Sequence, residues 1–302
     1  NDLTNYYITI PASNIETALW LESDRMAGLN LSPSSLDIQK HVVIEEFKQR
    51  YLNNPIQDGN IKPLIIVLPT YNNTSENDSS DYSLAIQLTN QFHNELVNDL
   101  IPAVESKYST YAKDTTPQGL KESRDHRGFG GFSMGSVNTW NTFRYCLDYF
   151  RYFMPMSGSY TTDGEYMADL VRQQGYSSQD FFIFAASGTD DFAYSAFKAQ
   201  IMAMANNSGG MFKLAKNESE GNMSFLEREG YKHDAKATDE YTYNGLRFFW
   251  NGQTDTQSAD NQSSSSKAYN VEQGTSKYRD FVLDNVLHSE TEGDIHYNVY
   301  IP

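Results

Sequence analysis

Cysteine is almost missing from this chain. Cys146 is the single one in 302 residues, so no internal disulfide can staple the fold, and its setting between Phe143 and Phe150 reads as a buried thiol. Also missing is any apolar run near the roughly 20 residues that span a bilayer, which argues against a membrane protein. Positive charge is scarce: 23 Lys and Arg against 39 Asp and Glu leave a formal net charge of -16, a field that repels phosphate backbones and anionic lipid. Nucleic acid is therefore not an expected partner. No H-E-x-x-H occurs, the six histidines are scattered, and Gly128-Phe129-Gly130-Gly131 lacks a Walker lysine, so neither a metal nor a phosphate-bearing cofactor is expected.

Asparagine sequons, by contrast, are plentiful: Asn30, Asn72, Asn73, Asn77, Asn206, Asn217, Asn222 and Asn261 fall mostly in polar stretches that read as surface loops, which favours a secreted, extracellular protein. The chain opens at Asn1 without a signal peptide, as a mature or trimmed polypeptide would.

The length admits one large α/β layer domain, and the hydrophobic pattern supports it. Leu64-Ile65-Ile66-Val67-Leu68, between Pro63 and Pro69, has the continuous apolar run of a strand buried on both faces of a parallel sheet. Leu84, Leu88, Phe92, Leu96 and Leu100 mark a helix that Pro102 should kink or restart. Phe129 to Phe132 leads into a second helical stripe of Val137, Trp140, Phe143, Leu147 and Phe150. Strands are expected at Tyr152 to Met156, Phe181 to Ala186 and around Met223 to Leu226, and a closing helix over Tyr241 to Trp250. That alternation predicts a mainly parallel central sheet flanked by helices. Residues 251–267, with four serines from Ser263, read as a flexible linker. Beyond them, Phe281 to Leu287 and the alternating Ile295, Tyr297, Val299 and Ile301 read as a β-hairpin.

Gly131-Phe132-Ser133-Met134-Gly135 falls between a strand and a helix, the context in which Gly-x-Ser-x-Gly presents a nucleophilic serine on a strained turn. Serine needs a base within hydrogen-bond reach and a carboxylate to orient that base. In this chain order the acid follows the serine and the histidine comes last, leaving His233, His288 and His296. His288 and His296 lie in the terminal hairpin, where a solvent-facing ring is the simpler reading, so His233 is taken as the base. Asp190 and Asp191 both follow the strand ending at Ala186, at the sheet edge where open α/β sheets place their sites. One can cap the next helix while the other orients the base, and Asp191 is taken as the acid. The oxyanion of an acyl-transfer intermediate needs backbone donors: Met134 after the nucleophile, and Thr70 or Tyr71 after the early strand, because Pro69 has no N–H.

These segments resemble carbohydrate esterase family one, the feruloyl (cinnamoyl) and acetyl-xylan esterases of the esterase-D-like α/β-hydrolases. The resemblance rests on Glu95 to Tyr108, Arg127 to Gly135, Phe153 to Gly158, Gly188-Thr189-Asp190-Asp191 and the His233 loop. It implies an α/β-hydrolase of the kind found in plant-cell-wall-degrading rumen microbes, and feruloylated arabinoxylan or oligosaccharide as substrate. It also implies no cofactor, a possible parent multidomain or cellulosome-type enzyme, and Asp191 as the acid through the family's Gly-Thr-x-Asp pattern. The rival readings are an acetyl-xylan esterase and a non-catalytic polysaccharide-binding shell of the same fold.

Three departures stand out. Pro69-Thr70 occupies the place of the family's His-Gly. Tyr241 and Tyr243 are the nearest rings to the tryptophan that often follows the histidine, and Tyr241 joins Phe132 and Trp20 as expected substrate contacts, core packing being the competing reading for Trp20. The terminal Ile295 to Pro302 looks like the strand with which family members begin. The expected domain is therefore circularly permuted: residues 1–62 an added element read as substrate-covering, 63–250 the catalytic core, 251–267 the linker, and 268–302 a hairpin completing the same sheet.

Overall fold

The structure, a computed structural model, describes residues 56, 58–71, 81–250, 271–272, 275–278, 281–289 and 293–300. Except for Ile56 and Asp58, these belong to one compact unit, Gly59–Pro302. The expected linker and nearly all of the expected N-terminal element lie outside the described residues.

Strand β1 (Ile66–Pro69) is followed by helix α1 (Tyr82–Glu95). Asp81 caps that helix by accepting the Ser83 and Leu84 amides at 2.9 and 3.1 Å, two of the donors left without partners at a helix start. The helix runs through a π-turn, Leu96–Leu100, into α2 (Ile101–Lys107), with Pro102 in the first turn of α2. Pro102 has no N–H to lose there, so the wider turn absorbs the restart its ring demands. After α3 (Pro117–Glu122) come β2 (Gly128–Phe132), α4 (Met134–Tyr145), β3 (Tyr152–Met156) and α5 (Gly164–Gln173). Then follow β4 (Phe182–Gly188), α6 (Tyr194–Asn206), β5 (Met223–Arg228) and α7 (Ala235–Leu246).

Strands β2, β3, β4 and β5 form a parallel sheet in that order. Every residue of β3 and β4 is buried, as parallel strands covered on both faces must be. Phe143 of α4 anchors one face, with its ring edge-on to Phe153 at 5.0 Å and to Phe181 at 5.2 Å. On the other face Phe248, just beyond α7, packs on Phe182 and Phe184 at 5.9 and 5.1 Å. Because the strands run parallel, the segments that leave Phe132, Met156, Gly188 and Arg228 emerge on one edge.

The remaining strands are β6 (Val271–Glu272), β7 (Thr275–Tyr278), β8 (Phe281–Ser289) and β9 (Gly293–Tyr300). β8 and β9 form the expected hairpin, and β6 and β7 both pair with β8. β1 lies antiparallel to β9, with Ile66 opposite Tyr300 and Pro69 opposite Tyr297. This corrects the expectation that β1 belongs to a parallel sheet and is buried on both faces: Leu68 is 52% exposed. A short apolar run carries no information about strand direction. Among the described strands, the sheet holding β1 and the hairpin has no ladder to the β2–β5 sheet. The two nonetheless share one core, in which Leu287, Ile295, Tyr297 and Val299 join Phe92, Leu100, Trp140 and Phe143.

Further differences concern helix ends and sequons. The closing helix starts at Ala235, six residues before the expected Tyr241, because the Asp234 carboxylate accepts the Ala237 amide at 3.0 Å as its N-cap. The α4 stripe stops at Tyr145, and Leu147 and Phe150 are buried from the turn that follows. Of the three described sequon asparagines, Asn222 is buried, donates to the Met211 carbonyl and accepts from the Lys213 amide, so it is not a surface acceptor. Asn206 and Asn217 are exposed.

Candidate active site

Ser133 sits one residue past β2 with φ 60° and ψ -116°. That region is strained for a residue with a Cβ, costing about 1–3 kcal/mol. Three hydrogen bonds hold it: the Ser133 amide donates to the Met156 carbonyl at 2.9 Å, and the Ser133 carbonyl accepts from the Ser136 and Val137 amides at 2.9 and 3.3 Å. A Cβ at Gly131 would fall 2.4 Å from the Gly135 carbonyl oxygen, whereas one at Gly135 would meet nothing within 4 Å. Only the first glycine of the pentapeptide is thus required by space at its own Cβ. Ser136 Oγ and Trp140 Nε1 both donate to the Gly158 carbonyl, at 2.7 and 3.0 Å, tying the start of α4 to the loop after β3. Met134 opens α4, so its amide has no acceptor within the helix and lies at the positive end of the helix dipole.

The acid and base come from the next two strand ends. Asp191 and His233 are joined through His233 Nδ1, which lies 2.9 Å from each carboxylate oxygen. Asp191 Oδ1 also accepts the Ala193 amide at 2.8 Å. Asp190 is exposed, its amide donating to the Tyr231 carbonyl at 3.1 Å. The two loops meet because Gly188 has no side chain: a Cβ there would fall 2.1 Å from the Tyr231 carbonyl oxygen. The His233 ring packs against Phe132 of the serine turn at 4.4 Å between centroids and against Phe192 of the acid loop at 4.3 Å. The other downstream histidines lie elsewhere: His288 is paired with Asp294 at 2.6 Å, and His296 is exposed on β9.

Not every expected residue reaches this cluster. The Thr70 amide donates to the His296 carbonyl at 3.3 Å, so the antiparallel pairing takes up one of the two expected oxyanion donors. Tyr71, half-buried, packs against the shared core, and burial pushes its phenol up. Tyr241 is fully buried in α7 and its hydroxyl has no hydrogen-bond partner among the described residues. It is therefore a core ring and not a substrate contact, its side chain in the middle of α7 being closed off from solvent. Burial first, and the nearby Asp191 carboxylate second, raise its phenol well above the ordinary value. Trp20 lies outside the described residues. Phe192 was not anticipated, although an aromatic residue directly after the acid was the signal.

No family model matches the chain. It is 39% identical over 211 residues to endo-1,4-beta-xylanase Y of Acetivibrio thermocellus, a stretch that is 67% of this chain and 18% of that protein. The chain thus spans less than a fifth of that relative. Among solved structures, a feruloyl esterase (FAE) is 38% identical with a TM-score of 0.60, covering 68% of this chain and 71% of that one. A serine-to-alanine variant of the feruloyl esterase module from Clostridium thermocellum, complexed with sinapinate, is 37% identical with the same TM-score and the same coverages. With that identity over more than two thirds of both solved chains, the protein belongs to the feruloyl esterases, carboxylic ester hydrolases of the α/β-hydrolase fold.

Proposed function

We propose that the protein hydrolyses hydroxycinnamoyl esters, feruloyl above all, on plant cell-wall arabinoxylan, through Ser133, His233 and Asp191. The observation that carries this reading is the paired approach of both Asp191 oxygens to His233 Nδ1, 2.9 Å each, with the His233 ring against the residue preceding a strained Ser133. With Nδ1–H directed at Asp191, Nε2 is left as the acceptor for the Ser133 hydroxyl proton.

Ser133 Oγ bonds to the ester carbonyl carbon while its proton passes to Nε2, and the carbonyl π-electrons move onto oxygen. The Met134 amide stabilises that oxyanion. Of Thr70 and Tyr71, only the Tyr71 amide remains as a second donor, since Thr70 is engaged by His296. Collapse breaks the bond to the alcohol, which takes the proton from Nε2 and leaves an acyl-Ser133. Water, deprotonated by His233, then releases the acid and restores the serine.

The xylanase relative, of which the matched stretch is 18%, supports a parent multidomain enzyme; secretion is part of the same proposal, and the exposed Asn206 and Asn217 sequons are in keeping with it. The test is a panel of methyl ferulate, methyl p-coumarate and acetylated xylan with the protein and its Ser133→Ala variant. Serine-dependent turnover of the hydroxycinnamates is expected. Turnover of acetylated xylan alone would transfer the protein to the acetyl-xylan esterases, and failure to label with a fluorophosphonate would make it a binding shell.

A further inference from the structure

Phe192 is 82% exposed, more than any other large apolar residue among those described, yet it stands next in sequence to the buried Asp191. Isolated exposed apolar residues are ordinary on protein surfaces. This one is held in place. The Asp191 amide donates to the Gly188 carbonyl at 3.1 Å, the Ala193 amide to Asp191 Oδ1 at 2.8 Å, and the Tyr194 amide to the Asp191 carbonyl at 3.1 Å. Backbone on both sides of Phe192 is thereby pinned, and its ring keeps a centroid distance of 4.3 Å from His233.

His233 carries two aromatic neighbours of different origin. Phe132 directly precedes the nucleophile and is half-buried. Phe192 comes from the acid loop and faces solvent. The alcohol that leaves must take its proton from His233 Nε2, so it departs from beside the imidazole against which Phe192 packs. Two residues on, Tyr194 donates to Glu227, which also accepts from Lys198 at 2.7 Å, giving a polar cluster at the edge of the same loop. An apolar ring face beside polar groups matches a sugar, which offers an apolar C–H face ringed by hydroxyls.

We propose that Phe192 is the platform on which the sugar of the leaving alcohol stacks, making it a specificity-determining residue for the glycan side of the ester. This rests on the esterase reading above and refines it. The experiment compares wild type, Phe192→Ala and Phe192→Trp on two esters of one acid, methyl ferulate and a feruloylated arabinoxylo-oligosaccharide, and adds a calorimetric or NMR titration with the ester-free oligosaccharide.

In Phe192→Ala, kcat/KM for the oligosaccharide ester is expected to fall about tenfold further than for methyl ferulate, mostly through KM, the size expected for losing one ring face of apolar contact. The tryptophan variant should restore the difference, and binding of the free oligosaccharide should weaken in parallel with Phe192→Ala. Equal losses on both esters, or unchanged oligosaccharide binding, would overturn the proposal and make the ring a support for His233. Should wild type leave feruloyl esters untouched, the esterase reading fails, while the titration still decides whether Phe192 binds sugar.

Discussion

Asp191 presents both carboxylate oxygens to His233 Nδ1 at 2.9 Å, and its side chain is fully buried while that of His233 is 19% exposed. The buried partner fixes the ring; the exposed edge is left for chemistry. Asp191→Asn would offer an amide N–H to Nδ1 and favour the wrong tautomer, so kcat should fall by about 10⁴-fold. Asp190→Asn, on an exposed neighbour, should stay within about twofold, a change at the level of an ordinary surface substitution. Steady-state kinetics on one ester series checks both, and similar losses from the two would sink the assignment of the acid.

The two glycines around Ser133 should behave oppositely. A Cβ at Gly131 runs into the Gly135 carbonyl, and backbone cannot step aside as a flexible side chain can. Gly131→Ala is therefore expected to cost about 2–4 kcal/mol and most of the activity. Gly135 lies in the first turn of α4 with open space around it, so Gly135→Ala should raise stability by up to about 1 kcal/mol. Thermal melts of the two variants read the contrast directly.

Much of this site was legible before the structure. Strand, serine and helix follow one another in sequence around Ser133, and the order serine, acid, histidine left few candidates, so local pattern and chain order were enough to name Ser133 and His233 as candidates and to leave Asp190 and Asp191 for the acid, of which Asp191 is the one that meets His233. The reading faltered where pairing between distant segments decides. Nothing in Leu64 to Leu68 reveals that β1 lies antiparallel to β9, and that pairing is what occupies the Thr70 amide. Tyr241 was misplaced for a related reason: its helix begins at the Asp234 cap, and the shift in start turns the ring from the loop into the core.

Because Tyr241 is a core ring whose hydroxyl has no partner among the described residues, Tyr241→Phe should leave kcat/KM within about twofold and hold or raise stability, by about 1 kcal/mol at most, as a buried polar atom is removed. A rise of more than tenfold in KM would return this residue to the substrate site.

Asp234 couples the base to α7. It follows His233 directly and accepts the Ala237 amide, and that hydrogen bond holds its carboxyl below the usual carboxylate range. A carboxyl lowered by folding stabilises the protein above its unfolded value of about 3.9 and loses that contribution as pH falls toward its folded value. Asp234→Ala should cost about 1 kcal/mol at neutral pH, whereas Asp234→Asn keeps a neutral cap and should flatten this part of the acid limb. Urea melts between pH 3 and pH 7, roughly the window set by that unfolded value, separate the two.

The terminal hairpin is expected to be indispensable. Leu287, Ile295, Tyr297 and Val299 are buried in the same cluster as Trp140 and Phe143, and β9 is the ladder partner of β1. Losing four such side chains removes about 6–12 kcal/mol of burial, at about 1.5–3 kcal/mol each, comparable to the whole stability of a domain. A chain ending at residue 267 should therefore fail to fold, giving neither a cooperative melt nor fluorophosphonate labelling, and Val299→Asp should do much of the same damage within the full chain. The circularly permuted arrangement requires this result, since it gives residues 268–302 the place of the strands with which the family opens. A truncated protein that melts cooperatively and turns over methyl ferulate at the full rate would make the hairpin an appendage and end that reading.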